Sequence, residues 1–274
     1  MRDKAILYLV IFTMVAGVAG CRKQLDQPPS PVAATNSLLE CAAKDILGES
    51  TPVLRLADPG MCPGHFDIRP SQVQQIRSCR VLLRFEFQKS LDVKLSGASD
   101  NGLRIAEVRI SGGLCEPGSY LSACRQTADA LVDVGLMERS AADKRLAEIT
   151  IRIEQAASRC RQKVQGLKDT PVIVSVHQEA FCKWLGLRPV ALFTGADEAG
   201  VGQVDVAVKQ GEQAGAKLVI ANLPEGRRVA DALAERLKGK VVEFGNFPAL
   251  NNGQSTFDDL LNTNTNALLE AAGK

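Results

Sequence analysis

The chain has 274 residues, 45% of them apolar and 23% charged, which is enough for one large or two medium domains with real cores and excludes a disordered or collagen-like sequence. Its 33 basic and 31 acidic residues leave a net charge of +2, so no strong pull toward nucleic acid or anionic headgroups is expected, and a dedicated nucleic-acid binder is disfavoured. Only two histidines occur, His65 and His177, so any imidazole chemistry must use those two positions.

Residues 1–4 carry Arg2 and Lys4, and residues 5–20 are uncharged, the basic and apolar halves of a secretory signal. Sixteen residues fall short of a comfortable membrane span. The stretch closes on Val18, Ala19, Gly20 and Cys21, a lipobox pattern that predicts cleavage before Cys21 and acylation of its thiol. Residues 1–20 are therefore expected to be a lipoprotein signal peptide, and the proline-containing residues 21–31 an extended tether to a membrane. Outside the cytosol the seven remaining cysteines can form disulfides, and their odd number leaves at least one unpaired. Cys41, Cys79, Cys124 and Cys160 lie in apolar stretches, as small buried hydrophobes or disulfide partners do. No CxxC pair is present, which removes thioredoxin-type and zinc-ribbon readings.

Further along, a strand at 32–34 leads to Asn36 and Ser37, which can cap a helix whose apolar face is Leu38, Leu39, Ala42, Ala43, Ile46 and Leu47. Strands at 52–56, 80–85 and 103–110 alternate with helices at 70–78, 88–95 and 120–134. Ser140 and Asp143 resemble a capping box opening a helix over 140–166, in which Leu146, Ile149, Ile153, Ala156, Cys160, Val164 and Leu167 recur at spacings of three and four. A helix of that length, roughly 40 Å at 1.5 Å per residue, can run between two lobes. Strands at 171–176, 189–193, 217–221 and 240–244 then alternate with helices at 179–185, 201–214, 227–237 and 256–271. The expected fold is α/β: an N-terminal lobe (32–138), a linking helix (139–166) and a C-terminal lobe (167–274), each lobe a parallel sheet flanked by helices. Both histidines fall just beyond strands, where open α/β sheets bind ligands.

Their contexts carry a resemblance. Thr35-Asn36-Ser37, then Pro63-Gly64-His65-Phe66-Asp67-Ile68-Arg69-Pro70-Ser71, the strand and short aromatic helix of 171–186, and the last helix with Asn264, together resemble the zinc- and manganese-binding lipoproteins that serve bacterial ABC importers. The resemblance runs in order over about residues 32–271 and implies two lobes, a rigid linking helix and one metal ion held between the lobes. It places His65 at the first ligand position. The second falls in 112–117, which offers Cys115 or Glu116 in place of a histidine. The third falls on Gln178, one residue beyond His177, the better donor. The fourth meets Asn246 and no carboxylate. The expected metal ligands are thus His65, His177, Glu116 and Cys115, with Cys62 a further candidate and zinc or manganese the cargo.

What this implies is a lipid-anchored binding protein on the periplasmic side of the envelope, handing a metal ion to an importer's permease. The alternative is a degenerate two-lobe module that no longer binds metal, which Gly112, Gln178 and Asn246 at ligand positions favour. An enzyme is not expected: the glycines of 195–202 lack a phosphate-loop lysine and the GxGxxG pattern, and no nucleophile with a neighbouring base can be named.

Overall fold

In the computed structural model, residues 30–58, 61, 67–95, 102–197, 200–249 and 256–274 are described. Cys21, Cys62 and His65 lie outside them, as do the signal segment and most of the tether.

Over the described residues strands and helices alternate, except where two helices follow one another in the middle. Strand β1 (Val32–Ala34) runs into helix α1 (Ser37–Leu47), where the Asn36 side chain accepts hydrogen bonds from the backbone N–H groups of Leu38 and Leu39. Strand β2 (Val53–Arg55), helix α2 (Pro70–Ile76), strand β3 (Val81–Phe85), helix α3 (Leu91–Lys94) and strand β4 (Arg104–Val108) follow. Helices α4 (Pro117–Asp133) and α5 (Arg139–Lys163) form a hairpin. The second series comprises β5 (Pro171–Ser175), α6 (Glu179–Trp184), β6 (Arg188–Phe193), α7 (Val201–Ala214), β7 (Leu218–Asn222), α8 (Arg228–Leu237), β8 (Lys240–Phe244) and α9 (Phe257–Ala272).

The strands assemble into two four-stranded parallel sheets, ordered β2-β1-β3-β4 and β6-β5-β7-β8. The same order of second, first, third and fourth strand thus occurs twice in the chain. Strands β3 and β7 are buried along their whole length, and their near-continuous apolar sequences are what a parallel strand covered on both faces requires.

Helix α5 spans about 37 Å at 1.5 Å per residue. It packs against α1, α4 and α9, with Ile149, Ile153, Ala156 and Cys160 buried. The expected capping box is absent: the helix begins at Arg139, with Glu138 as its N-cap and no capping side-chain bond, so Ser140 already lies in the first turn. Arg139, its first residue, pairs across the hairpin with Asp129 of α4 at 2.6 Å.

One apolar cluster includes the inward residues of both sheets, among them Val81, Leu83, Val172, Val174, Ile220 and Val242, together with Ile153 and Val164. Smaller clusters cover the other face of each sheet. Arg152 of α5 adds a polar fastening: it binds Asp45 of α1 in bidentate fashion at 2.5 and 2.9 Å and approaches Asp258 of α9 at 3.0 Å. Tyr120 of α4 donates to the same Asp45 at 2.6 Å while its ring stacks on Phe257, centroids 4.1 Å apart.

The six described cysteines, Cys41, Cys79, Cys115, Cys124, Cys160 and Cys182, are buried thiols rather than disulfide halves.

Candidate functional site

The polar residues of interest gather where β5, β7 and β8 end. After β5 the chain enters a single 3₁₀ turn, Val176–Gln178, at whose start the Ser175 hydroxyl accepts the His177 backbone N–H at 3.3 Å. This turn gives two consecutive residues opposite fates. His177 is thrown outward with its side chain 56% exposed, and Gln178 is turned fully inward.

At the outer level, His177 Nε2 lies 3.2 Å from Glu225 Oε1. Glu225 comes from the 3₁₀ turn after β7, and its second oxygen accepts the Ser175 hydroxyl proton at 2.7 Å. Burial pulls the Glu225 carboxyl upward, but hydrogen bonds from His177, Ser175 and Asn222 outweigh it and hold the group below the ordinary carboxylate range. Glu225 passes close to Gly195, where a Cβ would sit 3.1 Å from Glu225 Cβ, tighter than ordinary contact.

Beneath this pair is a closed layer of neutral groups. Gln178 Nε2 donates to Asn222 Oδ1 at 3.0 Å and to Asn246 Oδ1 at 2.9 Å, and Asn246 Nδ2 donates back to Asn222 Oδ1 at 3.0 Å. The Cys115 thiol, from the loop before α4, donates to Gly245 O at 2.8 Å and lies 3.2 Å from Asn246 Oδ1. Asn264 of α9 completes the layer, accepting from Gly245 N at 2.9 Å and donating to Gly245 O at 3.0 Å. Burial drives the Cys115 thiol far above its usual value, so it stays protonated. The Gln178 Oε1 atom is buried with no hydrogen-bond partner among the described residues.

Of the expected ligands, His177 stands at the rim, Cys115 is sealed in the neutral layer, and Glu116 is half-buried at the start of α4. The Glu116 carboxylate lies against Gly112, where a Cβ would fall 2.1 Å from Oε2, so that position admits only glycine while Glu116 keeps this pose. Among the described residues no three His, Cys, Asp or Glu side chains gather as a metal-holding group, so Cys115, Glu116 and His177 are not brought into one cage. Glu225 and Asn222 escaped the sequence reading. Glu225 sits 50 residues beyond Ser175, and the signal available was a polar residue ending a buried strand with a carboxylate three residues further on.

Residues 32–271 match the family described as ZnuA, the periplasmic component A of the zinc-uptake complex. The chain belongs to this family. The ZnuA family consists of substrate-binding proteins of ABC importers and not of enzymes, and it is periplasmic. No curated relative is similar enough in sequence to match. Among solved structures, the Mn-bound periplasmic metal binding protein from candidatus liberibacter asiaticus shares 11% identity, with 87% of this chain and 98% of that chain covered and a TM-score of 0.75. A Cd-bound form of the same protein gives the same values. A zinc-bound ZnuA deletion mutant shares 13% identity over 88% of this chain and 96% of that chain, with a TM-score of 0.72. At such identities these structures establish the two-lobe fold. Among the described residues no helix is long and apolar enough to cross a membrane.

Proposed function

We propose that this ZnuA-family protein is a lipid-anchored solute-binding protein that captures a divalent transition-metal ion, zinc or manganese, and passes it to the permease of an ABC importer. The observation that carries the reading is the His177–Glu225 pair. A carboxylate that orients an imidazole at a sheet's carboxyl edge is the usual support of a metal-ligating histidine. Manganese, cadmium and zinc in the similar structures point to cargo of the same class. His65 is the proposed donor from the N-terminal half, and acylated Cys21 the proposed membrane anchor.

Protein purified without a histidine tag should unfold at a higher temperature with Zn²⁺ or Mn²⁺, because an ion bound only by the native state stabilises it by mass action. His65→Ala and His177→Ala should each remove most of that shift. The affinity should fall as pH falls, since imidazole must be neutral to coordinate. A specific observation favours a second reading, the degenerate module without metal: the neutral Gln178 and Asn246 occupy expected ligand positions and bond to one another. Absence of any shift, or its full retention in both histidine variants, would decide for that alternative. Cys21→Ala should leave unprocessed precursor or soluble protein, and unchanged partition into membranes would remove the anchor.

A further inference from the structure

We infer that the amino-terminal edge of the C-terminal sheet, where its four strands begin, is a basic face that rests on anionic phospholipid headgroups of the membrane beside which the protein works. The inference goes beyond the metal cargo and does not depend on it. Composition conceals this face: residues 167–274 hold 11 basic and 13 acidic residues, yet the bases are not spread evenly.

The order of the sheet is the first argument. Reading across it, β6 opens with Arg188, β5 is preceded by Lys168, β7 is preceded by Lys217 and β8 opens with Lys240, so each of four adjacent parallel strands is entered past a base. At a strand spacing of about 4.8 Å the row is about 14 Å long, and with a Debye length of about 8 Å at physiological salt neighbouring charges act together. Backbone hydrogen bonds fasten these entries to one another: Asp169 N–H donates to Gly186 O at 2.8 Å, Arg188 N–H to Thr170 O at 2.9 Å and Lys240 N–H to Lys217 O at 2.8 Å. Lys163 and Lys238, where α5 and α8 end, extend the row.

The second argument is that these charges are not neutralised within the lobe. All six side chains are exposed. Lys217 donates to Leu237 O at 2.8 Å, and the other five make no ion pair among the described residues. The five segments that form this end, 161–170, 183–188, 212–217, 235–240 and 270–274, hold ten bases against four side-chain carboxylates, Asp169, Glu212, Glu235 and Glu270. The N-terminal sheet has no such edge: among its described entries only β3 and β4 begin beside a base, and both are engaged, Arg80 with Val134 O and Arg104 with Asp133. Helix dipoles account for Lys163 and Lys238, since cations favour carboxyl ends, but Lys168, Arg188 and Lys240 lie beyond the last turns, on the strand entries. An open row of long, flexible bases fits a diffuse anionic surface, which each base meets independently. A periplasmic protein of an ABC importer works beside such a surface.

The test uses the chain from Cys21 onward, without acyl groups and without metal, sedimented with vesicles of phosphatidylcholine alone or of phosphatidylcholine mixed with phosphatidylglycerol. Binding is expected to the anionic vesicles only, and it is expected to vanish at about 1 M NaCl, where the Debye length is about 3 Å. At about fivefold per base, Lys168→Gln alone should weaken it about fivefold, and Lys168→Gln, Arg188→Gln and Lys240→Gln together on the order of 100-fold. Lys89→Gln, Lys144→Gln and Lys209→Gln together remove the same charge from exposed positions away from this edge and are expected to leave binding nearly unchanged. Unfolding temperatures recorded for every variant separate lost binding from lost structure. Equal weakening by the two triple variants reduces the effect to net charge and overturns the inference. Binding to phosphatidylcholine alone, or binding that survives about 1 M NaCl, shows an apolar contact and overturns it too. Failure to bind anionic vesicles also overturns it, and if the edge variant then loses cross-linking to the permease, the face belongs to a protein partner. None of these outcomes depends on whether the chain binds zinc or manganese.

Discussion

At the scale of single residues, Cys115 shows how far burial can redirect a side chain's chemistry. As a soft donor in the loop before α4 it was a reasonable ligand, yet its partners Gly245 and Asn246 stand about 130 residues away, and local sequence could not place them. Its thiol serves as a hydrogen-bond donor. Cys115→Val should therefore cost about 1–3 kcal/mol, because the acceptors it satisfies stay buried, whereas Cys115→Ser, which retains a donor, should cost less; denaturant unfolding measures both. Alkylation with iodoacetamide near pH 8, followed by peptide mass spectrometry, should leave all six described cysteines unlabelled until denaturant is added. His177 was legible because its strand was, whereas Glu225 was not, since only the parallel pairing of β5 with β7 brings it near.

At the scale of elements, helix α5 was the clearest feature of the sequence, and its three-and-four spacing identified the face that is buried. Ile153 is fully buried on that face, so Ile153→Ala should cost about 2–5 kcal/mol in denaturant unfolding, and a loss within error would mean the face is not packed. The helix starts at Arg139, at the expected boundary of the linking segment, but without the side-chain cap that the Ser140/Asp143 spacing suggested, because such a spacing reports only local capping. The turn from α8 into β8 is closely constrained. A Cβ at Gly239 would lie 2.5 Å from the Lys217 carbonyl oxygen, which is backbone and cannot rotate away. Gly239→Ala should destabilise by about 1–3 kcal/mol, measurable by thermal unfolding. The strands were legible for a simpler reason: fully covered parallel strands are apolar runs, and that pattern survives without knowledge of their neighbours.

At the scale of the whole molecule, stability should fall at alkaline pH. Burial pushes the thiols of Cys41, Cys79, Cys115, Cys124 and Cys182 and the phenol of Tyr120 upward, Cys79 to about 11. In the unfolded chain the thiols ionise near their ordinary value of 9.0. The unfolded state therefore loses protons first, and stability that is full below pH 9 declines above it, by up to about 1.4 kcal/mol per pH unit for each thiol. The urea midpoint should drop between pH 8 and pH 10, less steeply in Cys115→Ser, and a flat profile would contradict the burial of these groups. Removing the Arg152 fastening with Arg152→Met should cost about 1–3 kcal/mol, moderated by the exposed part of that side chain, because Asp45 and Asp258 are left facing one another. The apolar cluster that includes both sheets has a mechanical consequence. The cluster is continuous through α5, which packs on α1 and α4 as well as on α9, so jaw-like opening would have to part these helices and wet apolar surface at about 25 cal/mol per Å². Scattering profiles recorded with and without zinc should superimpose. Loaded and empty molecules then share one silhouette, and a transporter telling them apart must feel for a handful of side chains at the rim, as a key is read by its teeth and not by its outline.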